Sequence, residues 1–489
     1  MKSKTASPFT SAPVHAPKGR TPWPWPVLAV LGGAAVAYAL LSIVNHLMFR
    51  TYGLDLGLYT NALYDYSHFR SNDCLFFQET PRNLLSDHFD LHLLLLSPLV
   101  WVMGEYTLLV VQIAAVLFGA AGVYRLVEAE TKHTWTAIAA MVSLLVFFGL
   151  WHAMAFDYHS NVVAAMWVPW LFYWLKRKRY GLYAVAVVMV CIAKENMALW
   201  LLFILVALLW DYRRDRRALL WLTGGIVFCI AYLTIVTMVV MPSLNPDKVH
   251  FLGKFKYMGD SFGAVAVWIL THPFETLRNL FTNFLDLRPG DGLKPEFYIC
   301  FLLSGGLLCC LKPNWLIMLL PLVAQKMLSD DIALWSITNQ YNVEFAPIVI
   351  CGVYEWVSKR RNIFNKCKKA VAVAMPLLCL GVTIYTCSNP VVWVPRENVR
   401  LFDARHYRQE QFDRHYANQL LKRIPADASV CASQCFTPHL ALRDSIYLYP
   451  IGLRHNPEYI LITQNDITPD TAGWHLVETD GKTYLLTSN

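Results

Sequence analysis

The chain has 489 residues, of which 56% are hydrophobic and 16% charged, and its formal net charge is +8. A soluble domain carries about 25% charged residues, so this balance excludes an ordinary water-soluble enzyme and points to a polytopic membrane protein. The basic residues sit in short runs beside apolar stretches, which is the pattern of cytoplasmic loops and argues against a nucleic-acid surface.

Residues 1–26, rich in Ser, Pro, Lys and Arg, predict a disordered cytoplasmic lead that ends in an interfacial Trp/Pro edge. No small-x-small cleavage site follows, so the first hydrophobic segment reads as a retained helix. A crossing helix needs about 20 apolar residues, and spans are expected near 27–48, 106–127, 134–152, 160–175, 180–194, 196–211, 218–241, 296–311, 314–329, 341–357 and 370–388. Segment 89–103 is apolar but short, with Asp90 and His92 at its start and Pro98 inside. If it crossed, Lys176–Arg179 and Arg213–Arg217 would fall outside while the basic N-terminus stayed inside. Placed in the outer interface, it lets every basic run fall inside together.

The expected fold is therefore an all-α polytopic bundle of about eleven transmembrane helices over 27–389, N-terminus in and C-terminus out. Outer loops run over 50–105 and 242–295. In the second, apolar residues from Phe262 to Phe284 recur at helical spacing around Thr271, His272 and Pro273, which predicts an interfacial helix or helix pair. Residues 390–489 turn polar. Alternating runs at 429–432, 445–449, 459–462 and 483–486, with a helical stretch over 409–423, predict a small extracytoplasmic α/β domain. The twelve cysteines lie mostly in apolar segments and form no CxxC pair, so they read as small buried hydrophobes. Cys431 and Cys435 are the close pair outside the apolar region, and a bond between them is left open.

This topology sorts the charges. Asp55, Asp87–His88, Asp157–His159, Lys194–Glu195 and Tyr341–Glu344 come out on one face, and Lys176–Arg179, Arg213–Arg217 and Lys359–Lys369 on the other. Four stretches of the first face form an ordered set: Tyr52-Gly-Leu-Asp-Leu-Gly-Leu-Tyr, Asp87-His-Phe-Asp-Leu-His, Phe156-Asp-Tyr-His-Ser and Ala193-Lys-Glu-Asn-Met. Ile424-Pro-Ala-Asp-Ala-Ser-Val, running on to Pro438-His-Leu-Ala-Leu-Arg, joins them. Over most of its length the chain resembles the bacterial membrane proteins grouped as domain of unknown function 2079. It departs from them at Leu54, Ser160 and Asn196, where that family commonly has Phe, Pro and an acid. The family in turn is similar to GT-C glycosyltransferases, which place an acidic residue in the first outer loop. The resemblance implies a transferase in the bacterial inner membrane. Its partners would be a polyprenyl-phosphate sugar donor, membrane lipids and a glycan, lipid or protein acceptor.

Asp55 is the catalytic candidate. Glycosyl transfer from a lipid phosphate needs a base for the acceptor's proton, and a carboxylate at an apolar mouth suits that task; the plain alternative is a cap on the helix beginning near Leu56. The flanking Gly53 and Gly57 would let the backbone turn tightly. Lys194, His88 and Arg82 are candidates for holding phosphate, with Lys254 and Lys256 behind them. Asp87, Asp157, His159, Glu195 and Glu344 are candidates for shaping the sugar and acceptor sites, or for mutually satisfied turn pairs. No cofactor is certain from the residues. No metal ligand set is assigned either, although His88 and His92, four apart, share a helical face and leave a divalent metal possible. Two rival classes are a transporter or flippase for a lipid-linked or anionic substrate, and a non-catalytic scaffold. A transporter usually keeps its site near the midplane and often shows repeats; here the charges gather at one end and no repeat is visible.

Overall fold

A computed structural model describes residues 23–73, 75–78, 80–245, 254–359, 365–388, 399–466 and 473–488. Most of the lead expected over 1–26 lies outside them. The chain opens with the helix Trp25–Leu47, whose prolines occupy the N-cap and first turn, where no intrahelical N–H is lost. Among the described residues, six helices are long and apolar enough to cross a membrane, or seven if the bent pair Thr134–Leu145 and Phe148–Ala155 counts as one span.

Fewer than the eleven expected segments meet that length because several apolar segments break inside the bundle. The bend of 47° after Leu145 shows how the breaks are tolerated. Tyr38 and the Trp151 indole donate to the Leu145 carbonyl, and Thr383 donates to that of Val146. The freed acceptors thus find side chains, the condition for irregular backbone at membrane depth. Segment 160–175 divides into Ser160–Ala165 and Val168–Lys176, and 180–194 yields only Tyr180–Cys191. Their neighbours bury them: Val162, Leu171, Ala186 and Val190 belong to one core with Tyr38, Val116, Met141, Leu201 and Val349.

Segment 89–103 forms short helical pieces, His92–Leu96 and Val100–Met103 among them, and stops at Gly104, whose φ of 56° only glycine adopts readily. The run 92–103 reaches about 18 Å at helical rise, well short of a bilayer core. Leu95, Trp101 and Val102 are exposed along it. In the second loop the expected helix pair is Phe262–Thr271 and Pro273–Phe281, joined at His272, with Leu270, Phe274 and Leu277 exposed.

Residues after 399 carry the helix Arg414–Arg423 and five strands: β1 Val430–Ala432, β2 Ile446–Leu448, β3 Tyr459–Thr463, β4 His475–Thr479 and β5 Thr483–Thr487. Their order is β2-β1-β3-β5-β4, with β1 parallel to both neighbours and β5 antiparallel to both of its own. β1 is buried throughout, as a central parallel strand requires. β4 was not expected, since its first three residues are exposed on an edge and show no alternation of burial. Cys431 and Cys435 are both free thiols. The sheet region shares one core with the first loop and the turn after Ala155: Leu56, Phe76, Leu93 and Tyr158 pack with Phe412, Leu420, Phe436 and Leu461. Burying each such side chain stabilises the contact by about 1.5–3 kcal/mol. This shared core holds the polar C-terminal part against the end of the bundle that carries Asp55.

Candidate functional site at the Asp55 end

The turn after Phe148–Ala155 organises the site. Gln112, fully buried in the helix Thr107–Thr131, clamps it from both sides. Its amide N–H donates to the Asp157 carbonyl at 2.6 Å, and its oxygen accepts from the His159 N–H at 2.8 Å. The clamp holds Asp157 at a φ of 45°, a left-handed conformation uncommon for residues other than glycine. Asp157 Oδ2 accepts from the Tyr52 N–H at 2.7 Å, which ties the turn to the segment carrying Asp55. His159 then brings Nε2 to 3.4 Å from Asp55 Oδ1, and its ring stacks on Phe156 at 5.3 Å. Burial, and then the charge of Asp55, pushes the Asp157 carboxyl well above its ordinary range. Two carboxyl groups and one imidazole therefore share a site in which one carboxyl readily keeps its proton.

Asp55 lies in a single π-helical turn, Gly53–Gly57, a geometry often found at functional positions. It caps nothing: the next helix begins at Leu58 with Gly57 as its cap residue and no side-chain cap bond. The two glycines also act otherwise than expected. Their φ values are not positive; they make room for the C-terminal region. A Cβ on Gly53 would collide with the Thr437 hydroxyl and the Gln434 amide, and one on Gly57 would press on Phe76. Gln434 accepts from the Leu54 N–H at 3.3 Å.

A second cluster forms where the first loop meets the turn before the helix Glu195–Tyr212. The Leu91 N–H donates to the Ile192 carbonyl at 2.9 Å and the Phe89 N–H to Glu195 Oε2 at 3.1 Å. This docking puts Lys194 Nζ 3.2 Å from His88 Nε2, with His88 Nδ1 3.4 Å from Glu195 Oε1. Burial and the Lys194 charge push the His88 imidazole down, so its neutral form faces the lysine. The neighbouring Asp90 is almost wholly buried, and its carboxyl is pushed up to about 8.

Residues 157–161 connect the two clusters. Asp157 and His159 serve Asp55, Ser160 bonds Asp90, and Asn161 donates to Glu344 Oε1 at 2.7 Å. Lys194 lies within electrostatic reach of Asp90 and Glu344, and Tyr341 within reach of Asp55. The structure thus gathers Asp55, His88, Asp157, His159, Lys194, Glu195 and Glu344. Arg82 and Asp87 stand apart, lining a small cavity of about 40 Å³ with Gln78, Asn83 and Asn245. Lys254 is paired with Asp331 at 2.8 Å. His88 and His92 have different partners, because His92 Nε2 is 2.8 Å from the Met189 carbonyl while His88 faces Lys194 and Glu195.

The family described as predicted membrane proteins, DUF2079, matches residues 45–484. The chain belongs to this family. No curated protein sequence matches it. Among solved structures it is similar to ArnT from Cupriavidus metallidurans bound to undecaprenyl phosphate, with a TM-score of 0.51 and 12% identity. It is similar also to the same protein in the apo state, with a TM-score of 0.50 and 11% identity. Each likeness covers 95% of this chain and 98% of the other. At this identity the likeness establishes the fold, a GT-C-like bundle with a small sheet region, as the motifs implied.

Sequence reasoning missed several residues of this DUF2079 site. Gln112 left a readable signal, since a lone amide in the middle of an apolar span needs a partner. Ser160 and Asn161 left none, because their importance lies in which way one short turn points each successive side chain.

Proposed function

We propose that this DUF2079 protein is a membrane glycosyltransferase of GT-C type. It takes a sugar from a polyprenyl-phosphate carrier on the outer face of the bacterial inner membrane and passes it to a glycan, lipid or protein acceptor. The observation that carries this reading is the pairing of an acid–imidazole cluster with a lysine–imidazole cluster at one end of the bundle. The fold it shares with an undecaprenyl-phosphate-bound protein supports the choice of donor. Lys176–Arg179 and Arg213–Arg217, at the far ends of the same helices, supply the cytoplasmic side of the orientation.

In the proposed reaction the acceptor oxygen attacks the anomeric carbon and the bond from that carbon to the phosphate oxygen breaks. The hydroxyl proton passes to Asp55, held in place by His159, and the polyprenyl phosphate leaves with the bonding electrons. Lys194 and His88 steady the phosphate. Asp157, carrying its proton, and Glu344 bond sugar or acceptor hydroxyls. A cavity of about 250 Å³ lined by Arg50, Tyr52, Arg400, Arg408 and Gln434 adjoins the Asp55 segment and suits an anionic acceptor group.

The test is purified protein in vesicles with polyprenyl-phosphate sugars, measuring release of polyprenyl phosphate. Asp55→Asn should retain fold and donor binding while lowering release by about 10²–10⁴-fold, the contribution of a positioned base. Full release by that variant would remove the base. Movement of the lipid across the bilayer without release would replace the transferase by a flippase.

A further inference from the structure

We propose that His46, Glu105 and His439 form a binding site for a divalent transition metal of the zinc class, one that clamps the sheet region onto the membrane bundle. The three side chains come from separate parts of the chain. His46 ends the helix Trp25–Leu47, Glu105 follows Gly104 just before Thr107–Thr131, and His439 lies in the short helix Thr437–Leu440 of the C-terminal region. Among the described residues they are the one group of three or more metal-binding side chains whose ligand atoms all lie within 4.8 Å of one another.

The distances suit an ion. His46 Nε2 is 3.6 Å and His439 Nδ1 is 3.7 Å from Glu105 Oε1. Ligand atoms placed tetrahedrally at zinc bond lengths of about 2.0–2.1 Å stand roughly 3.3–3.4 Å apart, so small ring rotations bring the trio into coordination. Both spacings are longer than a good hydrogen bond.

Protonation gives the second argument. His46 is fully buried, and its Nδ1 lies 2.9 Å from the hydroxyl of buried Thr51. With Nδ1–H donating there, Nε2 presents a lone pair, and that atom has no hydrogen-bond partner. In that tautomer a buried lone pair faces a carboxylate oxygen, which a cation between them would satisfy, and the bond to Thr51 orients the ring as the outer hydrogen bond of a metal-binding imidazole does. Glu105 supplies the negative charge. Aromatic groups close the surroundings: Tyr106 meets the His46 ring edge-on at 5.1 Å, and Phe49 lies 4.4 Å from the His439 ring. The two imidazoles stack at 4.0 Å, so metal binding would open them slightly from parallel. The set His₂Glu leaves a fourth position for water.

The site has leverage because of what adjoins His439. Thr437 and Pro438, in the same short helix, are the atoms that lie against Gly53 and Gly57 on either side of Asp55. A metal at His439 would therefore fix the wall of the Asp55 turn. That consequence rests on the proposed transferase; binding of the metal does not.

The experiment uses the full chain purified without a polyhistidine tag, stripped with chelator and titrated with zinc. Wild type should retain about one zinc per chain, and its melting temperature should rise with zinc and fall again with EDTA. His439→Ala and Glu105→Gln should lose both the bound metal and the shift. Thr51→Val, which keeps all three ligands, should weaken binding by about 10–100-fold. Asp55→Asn should keep full stoichiometry, so failure of the transferase reading would leave this result untouched. Zinc retention by His439→Ala equal to wild type would overturn the proposal. So would a wild type that binds no more zinc than the variants.

Discussion

At the end of the bundle away from Asp55, lysines meet carboxylates. Lys176 lies 2.6 Å from Glu130, Lys178 2.6 Å from Asp215 and Lys312 2.8 Å from Glu355. Neighbours complete the set, with Ser358 donating to Glu130 and Trp315 to Glu355. At the Asp55 end, beside one such pair between Lys254 and Asp331, the same residue types are arranged otherwise. His159 faces Asp55 while Asp157 takes the Tyr52 N–H, and Lys194 points at His88. The first arrangement satisfies its charges within the fold. Under the proposed function, the second leaves bonding capacity for a phosphate and a sugar. Ionisable groups near a membrane are costly, so an end that leaves them incompletely matched is a candidate binding site.

The comparison can be broken in several ways. Lys176→Met would leave Glu130, only 6% exposed, without its ion partner; removing one member of a buried pair costs about 3–5 kcal/mol. Unfolding in detergent should show that loss, while turnover per folded molecule stays at the wild-type value. A selective loss of turnover would mean that the far end takes part in chemistry.

Lys194→Ala should do the reverse. Losing a charge-assisted hydrogen bond worth about 1.5–3 kcal/mol should weaken binding of a polyprenyl-phosphate analogue ten- to a hundredfold, with little change in melting temperature. Equal binding by variant and wild type would take Lys194 out of the donor pocket.

The next effect is a slope. Asp90 has its carboxyl pushed from 3.8 up to about 8, so the folded protein prefers its protonated form. Its contribution to stability is therefore full below pH 3.8 and is lost as pH rises towards about 8. The downward shift of His88 acts in the opposite sense, so the measurement is a difference between proteins. Asp90→Asn should melt with a flatter pH profile than wild type across that window, and parallel profiles would remove Asp90 from the account. The smallest effect belongs to Lys178, more than half exposed: Lys178→Ala should change stability by only about 0–1 kcal/mol, and a larger loss would show that even exposed pairs hold the far end together.

Much of this arrangement was legible in the sequence. The apolar runs, the interfacial pair around His272, the helix before Arg423 and four of the five strands follow from periodicity and composition, which act over a few neighbours. The cluster of Asp55, Asp157, His159 and Lys194 was readable from its sorting to one face. What stayed hidden depends on distant contacts. Gly53 and Gly57 look like turn residues until Thr437 and Phe76 are seen against them. His46 and Glu105 show no cluster until His439 is seen beside them. The broken helices were unreadable for the same reason, since the donors that repair them come from Tyr38 and Thr383.

The bond from the Leu54 N–H to Gln434 spans 380 positions of sequence. Asp55 is therefore made well before the wall of its turn, which leaves the ribosome about 380 residues later. At about 5–20 residues per second the turn waits roughly 20–75 s for its partner. Competence is thus a late event in biogenesis, and a chain that stops after its last apolar helix would carry the full bundle and every acidic residue of the site, but not the surface that completes it.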